Sequence, residues 1–149
     1  MKVVTMRSLA SLLATALLLI SLTGCSYLFL PRADEYLKKA KGASGVETIL
    51  NLTTMLEASA KAARGGKGYD QPLNDLHNQF HALDNAFCGV TKEQAATPAY
   101  ALAFTKEKEL FAIFKRLWKY KDDQPRRDAH LDLFAQEVRE LRETVQRLK

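Results

Sequence analysis

The last helix-length stretch of this 149-residue chain carries apolar residues at Leu131, Phe134, Val138, Leu141, Val145 and Leu148. The steps alternate between three and four, close to a heptad seam. A strand, whose side chains alternate with period two, cannot use that pattern. Leu73, Leu76, Phe80, Leu83 and Phe87 make a second stripe of the same kind, and Val46, Ile49, Leu50, Thr53, Leu56 and Ala60 a third. A fourth stretch, ahead of the last, has Leu102, Leu110, Ile113, Phe114 and Leu117 as its apolar positions. No run alternates apolar and polar residues as a half-buried strand would.

The breaks agree with the stripes. Gly42-Ala43-Ser44-Gly45, Gly65-Gly66-Lys67-Gly68, Gly89 and Asp122-Asp123-Gln124-Pro125 interrupt the pattern where helices stop. Asp70 ahead of Pro72, and Thr97 ahead of Pro98, read as caps followed by prolines tolerated in a first turn. The spacing predicts helices over residues 32–41, 46–64, 71–88, 98–120 and 125–148, with residues 90–96 a connection holding at most one turn. The expected architecture is all-α: an antiparallel four-helix bundle of the last four helices, preceded by the short first one. Residues 32–149 form the bundle domain. The Glu137/Arg139/Glu140/Arg142/Glu143 series is expected on a solvated face.

The N-terminus has a different character. Lys2 and Arg7 precede an apolar run from Leu9 to Ile20, which ends in Leu22-Thr23-Gly24-Cys25. A basic end, an apolar middle and small residues at the cut make a secretory signal peptide. The tetrapeptide resembles the lipobox of bacterial lipoproteins, a resemblance that covers the first 26 residues. It implies cleavage between Gly24 and Cys25, removal of residues 1–24, and fatty acyl chains such as palmitate on Cys25. Residues 25–31 are then a lipidated tether. Ser26, in place of Asp, implies the periplasmic leaflet of the outer membrane, with the periplasmic face of the inner membrane as the alternative. The apolar run is shorter than the roughly 20 residues that a spanning helix needs. Met6, followed by Arg7, offers an alternative start.

Loss of Lys2 and Arg7 takes the formal charge from +5 to +3. That mild excess, on an exported chain, argues against a nucleic-acid partner. With Cys25 consumed by lipid, Cys88 is the remaining thiol. It is expected to form no internal disulfide and to behave as a small buried apolar residue at a helix end.

One constellation carries possible chemistry. His77, His81, Asp84 and Cys88 are spaced by four, three and four, which places them within about 60° of arc on one helix face. These donors suit zinc or copper, and His130 could add a ligand from the last helix. The set stretches about 16 Å along the axis, so one ion could take His77 with His81, or His81 with Asp84 and Cys88, but not all four. The Leu/Phe stripe of the same helix is centred about 90° away, so an ordinary hydrogen-bonded boundary face is the competing reading. Non-covalent haem, with Met55 or a histidine as second ligand, is a further option. No Cys-x-x-Cys-His, Gly-x-Ser-x-Gly or phosphate-cradling loop is present, and Gly65-Gly66-Lys67-Gly68 reads as a turn. Lys115, Arg116, Trp118, Lys119 and Tyr120 could contact anionic lipid or a partner. The alternative is that these cations simply complement a helix C-terminus.

The sequence therefore predicts a non-enzymatic helical adaptor or scaffold on the envelope membrane. It would be anchored to the bilayer through Cys25 and bound to an envelope protein, by architectural analogy with pilotin-like or photosystem-assembly lipoproteins. Periplasmic copper, zinc or haem binding through the His77 face is the alternative.

Overall fold

The computed structural model describes residues 31–149. The signal peptide, Cys25 and all but the last residue of the tether lie outside the described residues. The described part is all-helical: α1 (Pro31–Ala40), α2 (Gly45–Ala62), α3 (Asp70–Phe87), α4 (Lys92–Ala95), α5 (Pro98–Lys119) and α6 (Gln124–Gln146). No strand occurs among these residues, and none of these helices is long and apolar enough to cross a membrane.

Local chemistry fixes the ends. Ser44 accepts from the Glu47 amide, Thr97 from Tyr100 and Asp123 from Arg126, each from a β-region cap position. One cap differs from expectation. Tyr69, not Asp70, precedes α3. It is already αR and makes no side-chain cap, since a phenol has no short side-chain oxygen to offer the first-turn amides, and its ring lies under the Arg127 guanidinium at 3.7 Å. The 90–96 connection contains a full one-turn helix, α4, closed by a Thr91/Gln94 capping box. Gly65 and Gly68 hold φ of +91° and +70°, left-handed values that let the α2–α3 loop turn back.

The closest backbone pairings are α5 with α6, α2 with α3, α2 with α6, and α1 with α3. All four predicted stripes reach the interior. Leu73, Leu76, Phe80, Leu83 and Phe87 are buried, as are Leu131, Phe134, Val138, Leu141, Val145 and Leu148. Among the described residues the core runs from Ala33 to Leu148. At the α2–α3 crossing, a Cβ on Gly45 would collide with the Gly89 carbonyl, so the two backbones meet there without a side chain between them. Helix α1 is strapped down by two polar bonds. Asn51 Nδ2 donates to the Ala40 carbonyl at 2.9 Å, and Tyr36 Oη donates to Asp75 at 2.6 Å. Burial and that carboxylate push the Tyr36 phenol up to about 12.

Three expectations need correction. Leu102 is 45% exposed, because the buried row of α5 is Ala103, Glu107, Leu110, Phe114 and Leu117. The Glu/Arg series of α6 is not simply solvated. Glu137 and Glu140 pair with Lys106 of α5 at 3.0 and 2.7 Å, and Arg139 and Arg142 pair with Glu57 of α2 at 3.1 and 2.8 Å. Finally, Cys88 is exposed, not buried, and it is disulfide-bonded. It sits at the C-cap of α3, where the helix turns away from the core. The bond's partner is outside the described residues.

Candidate functional site

The seam between α3 and α5 is built from rings. Phe80 stacks on Phe111 and Phe114 with centroids 5.5 and 5.4 Å apart and planes within 9° and 6°. Toward one end, Phe87 meets Tyr100 and Phe104 at 5.9 and 6.1 Å. Toward the other, His77 packs edge-on against Phe114 at 5.4 Å and Trp118 at 4.9 Å. Such pairs contribute about 0.5–1.5 kcal/mol each beyond burial. Phe104, Phe111 and Trp118 recur every seven residues along α5. Lys108 lies over Phe104 at 4.6 Å and Lys115 over Phe111 at 4.9 Å, so cations roof the outer edge of the seam.

Within this seam the sequence-identified set divides. His77 and His81 come together, with their Nε2 atoms 2.9 Å apart and sharing one hydrogen. Both imidazoles titrate below the usual histidine value. Burial is the main cause for each; the neighbouring imidazole adds to it for His77, and Asp84 partly opposes it for His81. Asp84 turns instead to Lys108 at 3.4 Å. Lys108 also pairs at 2.9 Å with Glu107, whose buried carboxyl titrates above the usual range because of desolvation. Cys88 is occupied by its disulfide. On α6, His130 uses Nδ1 to donate to the Arg126 carbonyl at 2.7 Å and packs on Tyr120 at 5.4 Å. Met55 packs against the core from α2, half-buried. No group of three or more His, Cys, Asp or Glu among the described residues is arranged to hold a metal ion. Two imidazoles are what the seam offers.

A histidine whose folded pKa is depressed binds fewer protons in the folded state than in the unfolded one. Stability is therefore fully present above the unfolded value near 6.5 and falls as pH drops through that value toward the folded one. Urea melts of the wild type should lose stability between pH 7 and pH 5, and a His77→Gln/His81→Gln variant should show a flatter profile. Equal slopes in the two proteins would contradict this reading of the pair.

The basic-aromatic segment closes the same seam at the C-terminus of α5. Lys115, Arg116 and Lys119 are exposed, while Trp118 and Tyr120 are half-buried. Lys119 and Arg126 stand over the Tyr120 ring at 5.3 and 5.1 Å. Two functional groups escaped the sequence reading. Arg127 is fully buried, and Glu107 is buried within the α5 stripe. Their spacing was the available signal: Arg127 lies four residues before Leu131, and Glu107 falls between Ala103 and Leu110. Compared with protein-family models, with curated proteins and with solved structures, the chain matches none.

Proposed function

We propose that this chain is a lipid-anchored, non-enzymatic helical adaptor of the bacterial envelope. On this reading residues 1–24 are removed and acyl chains on Cys25 hold the protein to the periplasmic leaflet of the outer membrane. Helices α2, α3, α5 and α6 act as an antiparallel four-helix bundle that presents a surface to an envelope protein. The supporting observation for the anchor is the Leu22-Thr23-Gly24-Cys25 lipobox behind its basic and apolar leader. Support for the contact surface comes from the C-terminal turn of α5, where three exposed cations surround half-buried Trp118 and Tyr120. An acidic protein face suits that combination, since aromatic and cationic side chains are the usual anchors of an interface. A photo-crosslinker at position 116, introduced in intact cells, should capture one dominant envelope protein. Capture should disappear in a Lys115→Glu/Lys119→Glu variant. Recovery of lipids and abundant porins alone would contradict an adaptor role.

A second reading rests on the 2.9 Å approach of His77 and His81. Two uncharged imidazoles on one helix turn can chelate copper or zinc, with the remaining positions open to water or a partner's ligand. Metal content of untagged protein should then fall in a His77→Ala/His81→Ala variant, and unchanged copper and zinc would sink this reading.

A further inference from the structure

A groove of about 510 Å³ lies where the C-terminal end of α1, the α1–α2 loop and the C-terminal end of α3 meet. The volume is in the range of small-molecule sites. Its walls are apolar, from Leu37, Ala43 and Ala86, and Gly42, Gly45 and Gly89 line it without side chains. Among the described residues no aromatic ring lines it, so none of them offers a stacking platform for a planar ligand. It is a slot for a slim, flexible body.

The polar groups in the slot are hydrogen-bond donors in need of an acceptor. Lys38 and Lys41 line it, and so does Asn85, which is 6% exposed and whose Nδ2 donates to nothing. An unsatisfied buried amide is costly and calls for a partner. The nearby hydroxyls are already used. Thr48 Oγ1 accepts from the Gly42 amide and donates to the Ser44 carbonyl, each at 3.0 Å, and Ser44 Oγ caps α2. Glu47, four residues on from Ala43, accepts from the Ala43 amide at 2.8 Å. What remains is two cations and one amide N–H above an apolar slot.

We propose that this groove binds a straight-chain fatty carboxylate. The polymethylene chain lies along Leu37, Ala43 and Ala86, and the carboxylate accepts from Asn85 Nδ2 and faces Lys38 and Lys41. Cys88, whose disulfide partner lies outside the described residues, also lines the groove. To test it, the full chain in phosphatidylcholine nanodiscs is mixed with a diazirine-bearing hexadecanoic acid and irradiated, and the cross-links are mapped by mass spectrometry. Saturable labelling is expected on peptides spanning residues 37–45 and 85–89. An Ala43→Trp variant, which fills an exposed wall of the slot, should abolish it. Asn85→Leu, or Lys38→Glu with Lys41→Glu, should weaken it about tenfold, as loss of a charge-assisted hydrogen bond does. The matching diazirine alcohol should label comparably weakly. Labelling spread over the whole surface, labelling indifferent to Ala43→Trp, or equal labelling by acid and alcohol would each overturn the proposal. So would labelling that appears only after the Cys88 disulfide is reduced, since a segment held through that bond would then be the occupant.

Discussion

Replacing Arg127 by Ala is expected to lower the stability of the fold by about 3 kcal/mol, the largest effect of any polar substitution in this chain. Arg127 is 1% exposed. Its guanidinium donates from Nη1 to the Lys121 carbonyl at 2.7 Å and from Nη2 to the Gly65 carbonyl, and it lies 3.7 Å above the Tyr69 ring. One side chain thus joins the α2–α3 loop to the α5–α6 turn. Its removal leaves two carbonyls without their donors, at about 1–3 kcal/mol each, and loses a shielded cation–π contact worth up to about 2 kcal/mol. Release of a desolvated charge offsets part of that sum. In urea the midpoint should drop by roughly 1–2 M, given typical slopes for a domain of this size. Arg126, exposed one residue earlier, supplies the control, and Arg126→Ala should stay within about 0.5 kcal/mol of wild type. Equal melts for the two variants would show that the buried guanidinium does not hold this end together.

The largest effect on the protein's place in the cell is expected from Cys25→Ser. A hydroxyl is a far weaker nucleophile than a thiol and offers no thiolate to take up a diacylglyceryl group as a thioether. Incorporation of labelled palmitate should vanish, and residues 1–24 should stay attached, because cleavage in this class follows lipidation. On the lipoprotein reading the anchor is then lost, and no helix among the described residues is long and apolar enough to replace it by crossing a membrane. A variant that still incorporates palmitate would remove Cys25 as the attachment point.

Helical class and core were legible because apolar period is a direct record of burial. Every position of the Leu73–Phe87 and Leu131–Leu148 stripes is interior. The reading failed where a polar residue occupies a core position. Glu107 and Arg127 keep the helical spacing but not the apolar character, and Arg127 finds two of its partners, Gly65 and Tyr69, far away in sequence. Leu102 misled for the converse reason, being apolar but one position off the buried row. In the candidate site, the His77–His81 contact follows from their i, i+4 spacing alone. The diversion of Asp84 to Lys108 does not, since it depends on how α3 and α5 face each other across rings too large for close backbone approach. The disulfide at Cys88 was hidden by assigning the chain's other cysteine to lipid.

That assignment is also the point of greatest leverage. A thioether on Cys25 and an intrachain bond from Cys25 to Cys88 would use the same sulfur. The intact mass of the protein extracted from membranes, measured with and without reductant, separates them. The lipoprotein account expects a chain that begins at Cys25 and carries the added mass of its acyl groups. An unacylated chain that gains the mass of two hydrogens on reduction would contradict it.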